Sequence, residues 1–255
     1  QVVEEIGKAN ISLICSDSTG NTRLGRRKVN EDYPTILDTG DCVHHIHNTM
    51  KDISKLPEFQ NMLSLLKKTN AYFSKSTFSS TVLKDARETA EVAGGGLIKI
   101  GKTRFGMHWT SAVVLRHCFP FIKDLMDSGK AKPQDKNVCE LFDSRQDLRT
   151  FEDEMEIYIE ILSPLAHSLW SLESPETNAA DVFIFWLAIT STLKDPFAKK
   201  SSKLGITETL KKKVTSIINQ RYKAFIDESP TDIYFTAFFL DPRKDLIHSR
   251  LQFRE

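Results

Sequence analysis

The chain has 255 residues, enough for one large domain or two modest ones. It is 40% hydrophobic and 27% charged with a net charge of +1, the balance of an ordinary folded protein, which argues against global disorder. The longest apolar run, "VFIFWLAI" at 182–189, is far short of the roughly 20 residues that span a bilayer, so no transmembrane segment is predicted, and a membrane is not expected as partner. The stretch "VVEEIGKA" suits a short helix, and "ISLIC" is a compact apolar run suited to a buried strand. "TRLGRRKVNEDY" predicts a second helix closed by Pro34, "TILD" a second strand, and "CVHHIHNTMKDI" a third helix. Helix, strand, helix, strand, helix in so short a span implies neighbouring parallel strands joined by a crossover helix. The C-terminal ends of both strands then share one edge, and Asp17 and Asp41 lie near each other there.

Beyond residue 57 the pattern turns helical. Phe59, Met62, Leu63, Leu66 and Phe73 recur at helical spacing, as do Phe78, Val82 and Ala86. "VAGGG" at 92–96 breaks the run, and "LIKI" then predicts one more short strand. Helices resume with "TSAVVLRHCF" and continue to the end, punctuated by Pro120, Pro133 and Pro164. Leu148, Phe151, Met155, Tyr158 and Leu162 form one stripe, and Ile206, Leu210, Val214, Ile217 and Phe225 another; both read as core faces. The fold class is therefore mixed α/β and mostly α: an incomplete α/β piece followed by a large all-helical block. The four cysteines (Cys15, Cys42, Cys118, Cys139) are scattered without a C-x-x-C pair, which fits a reducing compartment. The chain starts "QVVEEIGKAN" and ends "HSRLQFRE" within a helix-like pattern, so it reads as a piece of something longer.

Three constellations and one charge run bear on chemistry. Asp17 follows a strand, where a carboxylate is held firmly yet accessibly and suits a Mg²⁺ ion; the competing reading is that Asp17 or Ser18 caps the next helix. "STGNTRLGRR" lacks the Gly-Lys-[Ser/Thr] of a P-loop. In "DCVHHIHNTMKD", Cys42, His44, His45 and His47 invite a zinc reading, but structural zinc normally draws two ligands from each of two separated segments, and no structural zinc is expected here. On a helix, Cys42 and His45 share one face, and His44 and His47 another. In "GKTRFGMHWTS", Lys102 and Arg104 flank Phe105 and Trp109 around a turn, a mixture suited to a phosphate backbone and an unstacked base, or else to aromatics sealing a sheet edge. Residues 194–223 carry nine bases against two acids, and 140–160 carry eight acids against two bases. Solvated helix faces explain both runs; contact of Lys199, Lys200, Lys203, Lys211, Lys212 and Lys213 with a nucleic-acid backbone is the sharper reading of the first.

The order of these motifs resembles the hAT superfamily of DNA transposases, in its diverged fungal forms. "SLICSDSTGN", "DCVHHIHNTMKDI", "KTRFGMHWTS" and "FFLDPRKDL" follow one another as the family's D-x-x-x-N strand end, Cys-x-x-His, T-R-W turn and L-D-P-R helix end. Here these are Asp17 to Asn21, Cys42 to His45, Thr103-Arg104-Phe105 and Leu240-Asp241-Pro242-Arg243, with Phe105 replacing the usual Trp. The resemblance implies a partial RNase H-like catalytic core over 1–118 and an all-helical insertion over 119–255. It implies that Asp17 is the second of three catalytic carboxylates that hold two Mg (or Mn) ions for DNA strand cleavage and transfer. It places Cys42 and His45 near that centre and Arg104 and Phe105 on DNA. The first catalytic Asp and the final Glu are expected outside this chain, as are the segments that form a homo-oligomer. Nuclear localisation is implied too. With one carboxylate of three, the chain as given is expected to be inactive alone; the alternative is a domesticated DNA- or protein-binding module without catalysis.

Overall fold

The computed structural model describes residues 2–75, 77–90, 96–98, 100–101, 105–197 and 205–243. In chain order the elements are α1 (Val2–Ile6), a 3-10 turn (Lys8–Asn10), β1 (Leu13–Ser16), α2 (Gly20–Asp32), β2 (Leu37–Gly40), α3 (Cys42–Ser54), α4 (Pro57–Lys75) and α5 (Thr77–Thr89). There follow α6 (Gly106–Asp127), α7 (Lys136–Asp143), α8 (Arg145–Leu172), α9 (Ala179–Thr192), α10 (Lys194–Phe197), α11 (Glu208–Tyr222), a π-turn (Lys223–Asp227) and α12 (Ile233–Leu240). The fold is mixed α/β and mostly helical, as the residue patterns predict. No described helix is long and apolar enough to cross a membrane. The described residues form two compact units, one drawn from 1–49, 167–194 and 212–255, the other from 50–166 and 195–211. The boundary expected between residues 118 and 119 falls inside α6.

In the first unit the two strands pair in parallel, Leu13 opposite Leu37 and Ser16 opposite Gly40. The alternation of helix and strand therefore follows the residue pattern closely. Burial does not: β1, expected as a buried strand, leaves Leu13 43% exposed, while β2 carries the covered residues, with Asp38 and Thr39 buried and Ile36 beside them at 1%. Among the described residues β1 pairs with β2 alone, so its apolar run lies at a sheet edge. α9 and α12 pack along each other through Phe183, Phe235 and Phe238. The start of α9 is fixed by a capping box, in which the Asn178 side chain accepts from the Ala180 N–H and Asp181 accepts from the Asn178 N–H. The Leu240–Arg243 turn is tied to it, because Arg243 donates to both Asp241 and Asp181 at 2.6 and 3.0 Å.

The second unit is helical. Phe59, Met62, Leu66 and Phe73 of α4 are buried as expected, and so are Phe151, Met155, Tyr158 and Leu162 of α8. The Tyr158 hydroxyl meets Ser54 Oγ at 2.9 Å in that core. The stripe expected on α5 is rotated by one residue: Ser79, Leu83 and Arg87 are buried, and Phe78 is 64% exposed. Adjacent residues differ by about 100° around a helix, so a short window leaves the buried face ambiguous to that extent. The same drift puts Ile218 rather than Ile217 in the core of α11. No strand forms at "LIKI": described residues 97, 98 and 100 are irregular, and the Ile98 carbonyl accepts from Asn70 and Ser111 side chains instead of a neighbouring strand. Pro120 and Pro164 do not interrupt their helices; α6 and α8 run through them. Glu160, whose carbonyl loses its donor to Pro164, lies on the exposed side of α8, where water can replace the missing bond. The acidic run is partly neutralised internally, since Glu156 and Glu152 pair with Arg116 and Lys123 of α6 at 2.8 and 2.7 Å.

Candidate functional site

The C-terminal ends of β1 and β2 carry Asp17 and Asp41, each one residue beyond its strand, and the Asp41 N–H donates to the Ser16 carbonyl at 2.9 Å. The two carboxylates have different work. Asp41 Oδ1 accepts the His44 N–H at 3.1 Å and so caps α3. Asp17 organises the turn into α2. Its Oδ1 accepts from the Thr22 hydroxyl at 2.6 Å, the Thr19 hydroxyl at 3.1 Å and the Thr19 N–H at 3.3 Å. These donors, Thr22 foremost, hold the Asp17 carboxyl below its ordinary value near 3.8, with the His44 ring adding a small electrostatic contribution. Thr22→Val is therefore expected to raise the Asp17 pKa toward its ordinary value. A carboxyl whose folded pKa is lowered contributes stability in full above the unfolded value and loses it as pH falls through the folded one. The variant should accordingly show a shallower loss of stability on acidification, and a carboxyl titration by NMR that leaves Asp17 unmoved would contradict the assignment.

Beneath the strand tips lies a buried ion pair. Arg26 of α2 donates from Nε to Asp38 Oδ1 at 2.6 Å, with the side chains 7% and 8% exposed. Its Nη1 donates to the carbonyls of Ser16 and Asp17 at 3.0 and 2.7 Å, and to the Ser16 hydroxyl. One guanidinium thus clamps α2 to both strands and fixes the backbone that carries Asp17. Neither Arg26 nor Asp38 stands out in the sequence: Arg26 is one of four cations in "RLGRRK", and Asp38 ends an apolar run of strand length.

Cys42 and His45 share a face of α3, as their spacing requires. His45 is buried, its Nε2 donates to the Arg221 carbonyl at 2.8 Å, and its ring stacks on Phe225 at 4.4 Å. Burial, and then the charge of nearby Asp41, push the Cys42 thiol up to about 11, so at neutral pH it is protonated rather than a ready thiolate ligand. Gly40 allows Phe225 to approach, since a Cβ there would lie 3.3 Å from the ring. Tyr234 closes the group by donating to the Gly40 carbonyl at 2.9 Å. Among the described residues no group of three or more His, Cys, Asp or Glu side chains is arranged to hold a metal ion. Asp17 offers a single carboxylate whose Oδ1 is already engaged, so the residues present do not complete the site that two Mg (or Mn) ions require.

Phe105 lies in the other unit, at the start of α6, packed on His108 at 4.5 Å. With His108, Lys55 and Lys67 it lines a cavity of about 420 Å³. His108 donates from Nε2 to the Gly101 carbonyl at 2.9 Å, and its burial lowers its pKa, so the ring is kept neutral and lends the cavity no charge of its own. Trp109, read with Phe105 in the same turn, is buried and donates to the Ile159 carbonyl at 2.9 Å, which makes it a core anchor. Arg104 lies outside the described residues, as do Lys102, Lys199, Lys200 and Lys203. Of the cations on α11, Lys211 is buried and paired with Glu208 at 2.8 Å, Lys213 is half-buried, and Lys212 is exposed. Comparison of the chain with known protein families, curated proteins and solved structures finds no match.

Proposed function

We propose that the chain is a segment of a hAT-like DNA transposase, comprising part of an RNase H-like core and a helical insertion. One observation carries the reading. Asp17, Cys42 with His45, and Leu240 to Arg243, three motifs far apart in sequence, belong to one compact unit, which the chain leaves after residue 49 and rejoins at 167 and again at 212. That connectivity is what a core interrupted by a helical insertion requires. Contacts that join the late residues to the early ones include Tyr234 to Gly40, Phe225 to His45, and His45 to Arg221. In the complete protein Asp17 would serve as one of three carboxylates around Mg or Mn, with DNA as substrate, the nucleus as the place of action, and a homo-oligomer formed through segments outside this chain. As given, one carboxylate does not support strand cleavage. The reading frame on either side tests this directly: an Asp-bearing strand upstream and a Glu-bearing helix downstream are expected, and the absence of both sinks the enzyme reading.

A second reading, a domesticated module that binds DNA without catalysis, is favoured by the engagement of Asp17 Oδ1 within its own turn. Both readings expect nucleic-acid binding. Fluorescence anisotropy of a labelled duplex, without divalent metal, should show affinity that falls steeply with salt, and Lys212→Ala should reduce the log–log salt slope by about one contact. Phe105→Ala should weaken binding of a single-stranded oligonucleotide by about 1–3 kcal/mol, the worth of one base–aromatic stack. An absence of binding at low salt would count against DNA as the partner under either reading.

A further inference from the structure

A cavity of about 200 Å³ lies within the strand-bearing unit, walled by Phe183, Tyr222, Tyr234 and Phe235 and rimmed by Asp227 and Asp232. The four rings come from three helices: Phe183 from α9, Tyr222 from the end of α11, and Tyr234 and Phe235 from the start of α12. They are braced in place. Phe183 meets Phe235 edge-on at 5.5 Å, Tyr222 meets Trp186 edge-on at 6.1 Å, and Tyr234 stacks on Phe225 at 5.2 Å. After Tyr222 the helix widens into the π-turn Lys223–Asp227, an uncommon geometry often found at functional sites, and the last residue of that turn is Asp227.

Both carboxylates are exposed, and among the described residues neither forms an ion pair. Asp232 occupies the N-cap position of α12, yet its side chain makes no capping hydrogen bond. Lys223 of the same π-turn pairs with Glu228 at 3.5 Å, and Asp227 opposes ionisation of the Tyr222 hydroxyl, adding to the effect of burial. Two carboxylates that make no ion pair among the described residues, beside four aromatic rings, repel an anion and attract a cation, whose contact with a ring face contributes about 0.5–2 kcal/mol. The volume is below the roughly 300–1,000 Å³ typical of drug-sized ligands, so it suits a headgroup rather than a nucleotide.

We propose that this cavity binds one alkylammonium group, a quaternary or methylated amine, through the rings of Phe183, Tyr222, Tyr234 and Phe235 and the charges of Asp227 and Asp232. The site uses none of the residues assigned to DNA and stands apart from that function. The same headgroup occurs on a free amine and on a methylated lysine in a peptide. Isothermal titration of the 255-residue chain should therefore use choline, the N-acetyl methylamide of trimethyllysine, and 3,3-dimethylbutan-1-ol, the uncharged isostere of choline. Saturable binding of at least one cation is expected, tighter than the alcohol by tenfold or more. Asp227→Asn with Asp232→Asn should weaken it at least tenfold while the circular dichroism spectrum is unchanged, and Phe235→Ala, at a 47% exposed position, should do the same. Tighter binding of the lysine derivative assigns a peptide-borne group, and tighter binding of choline a free amine; either supports the cation site. Equal affinity for the alcohol, an unchanged affinity in the double Asn variant, or no saturable binding of either cation overturns it.

Discussion

Asp38→Ala is expected to lower the stability of the strand-bearing unit by about 3–5 kcal/mol, measured as the shift of its urea transition, because it leaves the Arg26 guanidinium buried without its counter-charge. The size follows from the asymmetry of buried ion pairs. Desolvating both ions costs nearly what their attraction returns, so the intact pair adds little net stability, whereas removing one partner leaves the full penalty of the other. Arg26 is not an open cation that water can reclaim; it is 7% exposed and already spans Asp38 and the carbonyls of Ser16 and Asp17. Replacing both partners by apolar residues of similar size, Arg26→Met with Asp38→Leu, should recover most of the loss. A single Asp38→Ala variant as stable as the parent would mean that the pair is solvated in solution.

The same clamp matters for Asp17 through geometry rather than charge. With the guanidinium withdrawn, the Ser16 and Asp17 carbonyls lose one donor each, and among the described residues the strand tip keeps its pairing with β2 and the Thr19 and Thr22 bonds. A carboxylate that is to serve a metal site must be positioned by neighbours that do not themselves move. In the double apolar variant, recovered stability with a shifted Asp17 carboxyl resonance would separate the two contributions of Arg26.

The elements around this site were legible because they are short and sharply punctuated. Pro34 closes α2, and the β-branched run of β1 stops at polar residues. Both signals are local, and local chemistry sets where an element begins and ends. What was not legible depends on distant residues. The sequence contains nothing to indicate that Asp38 faces Arg26, that Gly40 receives the ring of Phe225, or that Tyr234 reaches back to the Gly40 carbonyl. The exposure of β1 is hidden for the same reason: an apolar run at a sheet edge and one at a sheet centre look alike until the neighbours are known. "LIKI" failed as a strand because Asn70 and Ser111 supply donors to the Ile98 carbonyl, contacts that propensity cannot register. Lys211 reads as one of a row of free cations, yet it is buried and pairs with the exposed Glu208, one turn earlier on α11.

His45→Ala should destabilise the same unit by roughly 3 kcal/mol, the order expected for removing a packed ring and a buried donor together. The imidazole is held on two sides. Phe225 stacks on it at 4.4 Å, Trp186 meets it edge-on at 5.8 Å, and its Nε2–H satisfies the Arg221 carbonyl at 2.8 Å, beside the π-turn. His45→Phe separates these contributions: it keeps an aromatic ring against Phe225 but supplies no N–H, and should cost about 1–2 kcal/mol, the order expected for a part-buried carbonyl that loses a hydrogen-bond donor. The comparison also tests the role that the Cys-x-x-His motif was expected to have. If His45 acts by joining α3 to the helix that returns after residue 212, both variants lower the unfolding transition while the folded protein binds duplex DNA as the parent does. If the imidazole contacts DNA, His45→Phe lowers affinity under conditions where the protein is fully folded. With His45 buried and its Nε2–H committed to Arg221, the first result is the expected one, and the motif then marks the joint that holds the α/β piece to its returning helices.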